Sequence, residues 1–468
     1  MYIGDCTDKE ILEKCKELQK TYSPFITIVE ELPEIKKRGK LAGIAVSVKD
    51  CICTAGLQST AGSRILQGYI PPMDATAVER VKAAGGVIIG KTAQDEFGFG
   101  TFSINCAYGV PKNPHDVERT CGGSSGGAAC LTAAADFPHI ALAESTGGSI
   151  SCPAAFCGVV GLTPTYGLVS RWGLIDYANS LDKIGAIGKS VADVARMLTV
   201  IAGYDERDAT SLRVKPQDYT KYLRKSVKGR SLKSICIGVP DEYFERGVDG
   251  RIVKLVLNGI KSLESLGCSV KQISLPHTRY ALAAYYIIAL AEASTNLAKF
   301  CGMRYGLQGI LRGNYDKYFS IVRSAGFGEE AKRRIILGTY ARMAGYRDAY
   351  YLKALKVRTK VIEDFKAAFA SCDVLIAPTM PVVAPRFDEI AKLEPIEQYM
   401  MDILTVAPNL AGIPMISVPC GFVNEHGSKL PVGLHIMADH LQEGRMLQVA
   451  YAFEQLMKKK GNENSRGD

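Results

Sequence analysis

The sequence predicts an α/β fold, a sheet with helices packed on both faces and interrupted by a long helical insert. Three observations carry this reading. Short apolar runs alternate with amphipathic stretches between about 41 and 276, the pattern of strands and helices taking turns along a chain. From about 280 to 371 the period is helical almost throughout. Strand-like runs then return near the C-terminus, so both ends of the chain share one sheet. At 468 residues, 47% hydrophobic and 22% charged, the composition is globular and the length allows a large core. We read residues 1–468 as one domain, with an N-terminal helical part over about 1–40, the insert over about 280–371, and a loose tail at 458–468.

In chain order, residues 8–20 read as a surface helix. LAGIAVSVKD (41–50) is a buried strand ending in Lys49 and Asp50. MDATAVERVKAAGG (73–86) is a capped amphipathic helix closed by glycine, and VIIG (87–90) is a short strand. A Gly-, Ser- and Asn-rich region follows, then a small-residue helix (128–135), a strand (139–145) and a short element with a turn (156–164). Helices at 190–202 and 250–266 flank a strand at 234–240, and another strand covers 269–276. Within the insert, 279–300 is one long helix and 328–371 a near-continuous one, broken at Gly345. Strands return at 373–379, 414–420 and 431–437.

The net charge of +9 is spread over the chain, with short basic clusters at 35–40, 223–230 and 457–468. They are either solvated surface or contacts to RNA or an acidic partner. The N-terminus lacks the apolar core of a signal peptide, and the apolar runs read as shorter than a membrane span. Fourteen cysteines without a staple pattern suit a reducing compartment. We therefore expect a cytoplasmic protein with no membrane contact. Cys51 and Cys53, and Cys152 and Cys157, read as small buried thiols rather than metal ligands, and no metal site is expected.

GGVIIGKT (85–92) matches the spacing of a phosphate-binding loop. Such a loop follows a strand and opens a helix. Here a helix precedes Gly85, the interior Val87, Ile88 and Ile89 reads as the strand itself, and a Gly-rich stretch follows Thr92. We reject nucleotide binding there. CGGSSGGAAC (121–130) and ESTGGSISCP (144–153) are a different matter. A serine is a poor nucleophile until a base takes its proton. Of the six histidines, His139 is nearest in sequence to Ser149, but no nucleophile-elbow pattern with a trailing histidine is present. Lys49 is the other base. Burial at the end of an apolar strand disfavours its charged form, and a serine of the pair could relay a proton to it. The glycines let backbone N–H groups converge on a developing oxyanion. The residues alone leave catalysis and a pair of flexible, helix-capping loops both open.

Together, VSVKD (46–50), GKTAQDEFGFG (90–100), CGGSSGGAA (121–129), TGGSISCPAAFCGVVGLTPTYGLVS (146–170), SLDKIGAIGKSVAD (180–193) and NLAGIPMISVPCG (409–421) resemble the amidase signature family over nearly the whole chain. GFGEEAKRRIILGTYARMAGYRDAYYLKA (326–354) and DILTVAPNLAGIP (402–414) are similar to the A subunits of the aspartyl/glutamyl-tRNA amidotransferases, with a hint of an archaeal-type branch. The resemblance implies the amidase signature fold, a central mixed sheet covered by helices. It also implies a Ser–cis-Ser–Lys triad. By motif, Ser149 is the nucleophile, Ser124 the relay and Lys49 the base, with Ser125 beside the substrate as the competing relay. The backbone of Thr146, Gly147, Gly148 and Ser149 is the implied oxyanion hole. Arg334 and Asp402 are implied to grip the carboxylate and ammonium of glutamine, and Tyr285, with Tyr286 as its competitor, to line the pocket.

The implied activity is glutamine amidohydrolysis feeding ammonia to a carbon–nitrogen ligase that converts Glu-tRNA(Gln) or Asp-tRNA(Asn). The implied partners are the B subunit of such a ligase, which would hold ATP, Mg²⁺ and most contacts to misacylated tRNA, and its small C subunit. No cofactor is expected in this chain. A free-standing amidase acting on small amides is the alternative, and a non-catalytic scaffold a third. The chain departs from the family pattern twice. Ser145 stands where Asp is usual and Ser151 where Arg is usual, a joint exchange that would keep local charge balanced.

Overall fold

In the computed structural model, residues 8–33, 38–227, 232–245, 247–311 and 313–464 are described. Parts of the three basic clusters, at 35–37, 228–230 and 465–468, lie outside them. Among the described residues thirteen strands form two sheets. In chain order they are β1 (Phe25–Ile28), β2 (Ala45–Lys49), β3 (Val87–Thr92), β4 (Lys112–Asn113), β5 (Asp116–Thr120), β6 (His139–Ser145) and β7 (Val160–Thr163). β8 (Lys183–Gly188), β9 (Cys236–Pro240), β10 (Ser269–Ile273), β11 (Val374–Pro378), β12 (Met415–Glu425) and β13 (Ser428–Ala438) complete them. β4 and β5 make a separate ribbon. The other eleven form one mixed sheet in the order β1-β3-β2-β6-β8-β7-β12-β13-β11-β9-β10. The expected α/β architecture with a central mixed sheet is what the chain adopts.

Burial explains the order. β2, β3 and β6 lie side by side and parallel, and every residue of the three is buried. This is why they read as unbroken apolar runs rather than alternating ones. At one edge, β10 exposes Ser269, Val270, Lys271 and Gln272, as a chain must where one strand side is unpaired. Helices close both faces. Val191–Ile201 starts at Ser190, whose hydroxyl accepts from Asp193 N, and Gly250–Ser265 starts at Asp249, whose carboxylate accepts from Arg251 N.

Several expectations need correction. The helix read as capped at 73–86 spans Thr76–Ala83 and has no side-chain cap. Asp74 instead accepts from Ala55 N and pairs with Lys82. A short helix, Ser151–Cys157, was hidden in a stretch without amphipathic periodicity, because every residue in it is buried. The segment Thr278–Lys299 is long and apolar enough by composition to cross a membrane, contrary to the reading of the apolar runs. Most of its apolar window (61%) is buried inside the protein, as in a core helix. The final helix runs Glu443–Asn464, into the stretch read as a loose tail.

Among the described residues the insert holds Ala281–Asn296, Glu329–Arg342 and Lys353–Phe369, with Tyr315–Gly326 between the first two. The break at Gly345 has φ +87 and leads into a wider helical turn at Asp348–Leu352. Gly338 allows the first two helices to touch. A Cβ there would lie 1.8 Å from the Leu290 carbonyl oxygen, so no larger residue fits the crossing. Arg334 lies one turn earlier on the same helix.

Candidate active site

Lys49 ends β2 with no exposed surface. Its Nζ donates to Ser124 Oγ at 2.7 Å, to the Glu144 carbonyl oxygen at 2.9 Å and to Glu144 Oε2 at 2.8 Å. The peptide bond between Gly123 and Ser124 is cis. Ser125 turns elsewhere, its Oγ donating to the Glu144 carbonyl and its N to the Ser149 carbonyl. Lys49 thus meets Ser124 and not Ser125. Ser149 lies at the end of the TGGS turn, 7% exposed. Among the described residues no hydrogen bond joins its hydroxyl to Ser124.

Reading Lys49 as a base made available by burial alone missed Glu144. This carboxylate is 3% exposed and faces the ammonium from β6. The signal was present, because Glu144 is the one acidic residue in the glycine-serine stretch. Without the pairing of β2 with β6 nothing aimed it at Lys49. Glu144 Oε1 also lies 2.9 Å from Thr146 Oγ1, which lies 2.8 Å from Asp182 Oδ1. Burial, reinforced by the Glu144 charge, pushes the Asp182 carboxyl well above the usual range. Asp95, buried behind Ser124 and bonded by the amides of Ser103 and Asn105, is pushed up by burial to about 7.

Among the described residues the amides of Gly147, Gly148 and Ser149 donate to no protein acceptor, which leaves them free for an oxyanion. The two glycines are required by close approach. A Cβ on Gly147 would lie 2.8 Å from the Tyr285 hydroxyl, and one on Gly148 2.5 Å from Thr405 Oγ1. Tyr285 therefore packs on the turn, while Tyr286 donates to Asp402 Oδ2 at 2.7 Å. Thr101 donates to Asp402 Oδ1 at 3.1 Å, and burial raises the Asp402 carboxyl.

Arg334 is 2% exposed. Its Nε donates to Glu330 Oε1 at 2.7 Å and its Nη1 to the Tyr177 hydroxyl at 2.8 Å. Four rings surround the guanidinium, Phe99, Tyr177, Tyr286 and Tyr399, with centroids 5.1–5.8 Å away. Those rings are scattered through the sequence, and nothing local marks them as neighbours. Tyr286 bridges the two polar groups, stacking on Arg334 and holding Asp402.

His139 is spent elsewhere. Its Nε2 lies 2.9 Å from Ser47 Oγ, its Nδ1 3.2 Å from Thr132 Oγ1, and burial pushes it down to about 3. No histidine bonds Ser149 among the described residues. Ser145 donates to the Gly147 carbonyl, and Ser151 lies 3.5 Å from His435 Nε2. The two hydroxyls do not bond each other. The phosphate-loop look-alike is strand β3, with Lys91 bonded to the Ile52 carbonyl and Ser59 Oγ. Among the described residues no group of three or more His, Cys, Asp or Glu side chains could hold a metal ion.

A buried lysine on a serine after a cis bond, beside a glycine turn with unspent amides, defines an amidase, and the chain belongs to the Amidase family, which it matches over residues 26–447. Within that family it is similar to the A subunit of glutamyl-tRNA(Gln) amidotransferase from Methanococcoides burtonii, 52% identical over 89% of this chain and 85% of that one. The corresponding protein of Halothermothrix orenii is 49% identical over 91% and 87%. The crystal structure of the Thermotoga maritima A subunit superposes with TM-score 0.81 at 37% identity, over 97% of this chain and 94% of that one.

Proposed function

We propose that this chain is the glutaminase subunit of a tRNA-dependent amidotransferase working in the cytoplasm. Glutamine sits with its carboxylate on Arg334 and its ammonium on Asp402, beside Tyr285. Ser149 attacks the side-chain amide carbon while its proton passes through Ser124 to Lys49. The oxyanion is held by the backbone amides of Thr146, Gly147, Gly148 and Ser149. The proton returns by the same route to the leaving nitrogen. Ammonia departs, and water hydrolyses the γ-glutamyl ester. Ammonia then passes to the B subunit of the complex, which activates Glu-tRNA(Gln) or Asp-tRNA(Asn) with ATP and Mg²⁺, while the small C subunit braces the pair.

The observation carrying the reading is the contact of Lys49 Nζ with Ser124 Oγ at 2.7 Å, inside a family whose amidotransferase members match this chain along most of its length. The test is labelled glutamine with misacylated tRNA, with and without the B-type partner. Ammonia release that depends on Ser149 and label transfer to tRNA that depends on the partner support it. Glutamine turnover that survives Ser149→Ala sinks it. Brisk hydrolysis of simple amides by the chain alone, with no response to a partner, would favour a free-standing amidase.

A further inference from the structure

We infer that Glu144 is a positioning residue that aims the lone pair of Lys49 at Ser124, a role that rests on the triad proposed above. The geometry counts hydrogens. Lys49 Nζ has three partners, Ser124 Oγ, the Glu144 carbonyl and Glu144 Oε2, at 2.7, 2.9 and 2.8 Å. As an ammonium it fills all three with hydrogens. As the neutral amine it keeps two hydrogens and gains one lone pair. Both oxygens of Glu144 only accept from it, so both claim a hydrogen. The lone pair is left facing Ser124, the one partner able to donate. One residue thus fixes two of the three valences of the base, one through its backbone and one through its side chain.

Glu144 is itself held. Its Oε1 lies against Thr146 Oγ1, which has one hydrogen and two carboxyl neighbours, Glu144 and Asp182. Thr146 Oγ1 lies between the two carboxyls, and burial together with the Glu144 charge drives the Asp182 carboxyl well up. The contact with Thr146 holds Oε1, which leaves Oε2 for Lys49. Thr146 belongs to the oxyanion turn, so the aim of the base and the shape of the hole share one strut.

The carboxylate brings charge as well as aim, 2.8 Å from the amine. The other titratable groups around Lys49 are Cys51, which follows β2, Asp95 behind Ser124, and Asp182 across Thr146. Glu144→Gln separates aim from charge. Its carbonyl oxygen still accepts from Lys49, its amide donates to Thr146, and Thr146 then donates to Asp182.

The experiment is the pH profile of glutaminase kcat and KM for the complete complex carrying Glu144→Gln, Glu144→Ala or Glu144→Asp, with Ser149→Ala as reference and melting curves as folding control. We expect Glu144→Gln to lower plateau kcat by less than ~5-fold, in the wild-type and in an Asp95→Asn background alike. Glu144→Ala loses the acceptor, and kcat falls ~30-fold or more with KM unchanged. Glu144→Asp keeps the buried charge but falls short by one methylene. It folds even if the Gln variant does not, and its kcat falls similarly. If Ser149→Ala is inactive while the Glu144 variants keep wild-type rate and profile, the positioning role is wrong and the triad stands. Equal loss in Gln and Ala variants means the charge itself is needed, which also overturns it. A fully active Ser149→Ala protein refutes the triad instead.

Discussion

Arg334→Lys is the sharpest test of the glutamine clamp. The guanidinium has five N–H groups. One goes to Glu330 through Nε and one to Tyr177 through Nη1. The remaining N–H groups, two of them on Nη2, can form the fork that a carboxylate prefers. A lysine ammonium keeps the charge but has three hydrogens, two of which the same neighbours claim. One remains for substrate. Loss of one charge-assisted hydrogen bond is worth about 1.5–3 kcal/mol, so kcat/KM for glutamine should fall ~10- to 150-fold. The loss should appear mainly in KM, because the carboxylate is bound alike in ground and transition states. The assay compares glutamine with butyramide, which has the amide but no carboxylate. The variant should lower the glutamine rate and leave the slow butyramide rate within ~2-fold of wild type. Equal losses on both substrates, or an unchanged KM for glutamine, would refute the clamp. Arg334→Ala is less informative, because it strands the largely buried Glu330 carboxylate and costs about 3–5 kcal/mol of stability.

Gly148→Ala pushes a methyl group into Thr405 Oγ1 and shifts the oxyanion turn. We expect kcat to fall ~10²- to 10³-fold while the melting temperature drops by only a few degrees, as read by kinetics and calorimetry. Asp95 gives a pH prediction. Its carboxyl sits at about 7 in the folded chain against 3.8 ordinarily, so the folded state keeps a proton that the unfolded chain has already lost. That contribution is full below about pH 4 and is lost as pH rises through about 7, worth up to ~4 kcal/mol. Denaturant titrations across that range should show the slope, and Asp95→Asn should flatten it. Lys91→Met should leave nucleotide binding at background by calorimetry and lower stability by about 1–3 kcal/mol, through the orphaned Ser59 hydroxyl and Ile52 carbonyl.

The strands and helices that bury an entire face were legible because apolar runs and helical periods are local properties. β6 is read at its observed bounds, His139–Ser145, and the break at Gly345 falls where the left-handed backbone occurs. Helix Ser151–Cys157 escaped notice because total burial erases amphipathic contrast. At the site, Lys49, Ser124 and Ser149 stood out through motif. Glu144 and the rings around Arg334 did not, since their roles arise from strand pairing and helix packing between residues distant in sequence, 95 positions apart for Lys49 and Glu144 and 157 for Arg334 and Tyr177. The local charge balance imagined for Ser145 and Ser151 overlooked that same Glu144, and also Lys183, buried opposite Ser145 across β6 and β8.

The proposed chemistry and the proposed selectivity have separate anchors. Lys49, Ser124 and Ser149 hang on the sheet and its adjoining turns, whereas Arg334, Tyr285 and Tyr286 ride on two helices that meet at Gly338, with Asp402 alone of the proposed clamp outside that segment. A lineage could therefore swap the rider and keep the engine. Replacing the helical segment would retune which amide is admitted without redesigning the machinery that breaks it, and chimaeras joined at about residues 280 and 371 are the natural place to begin.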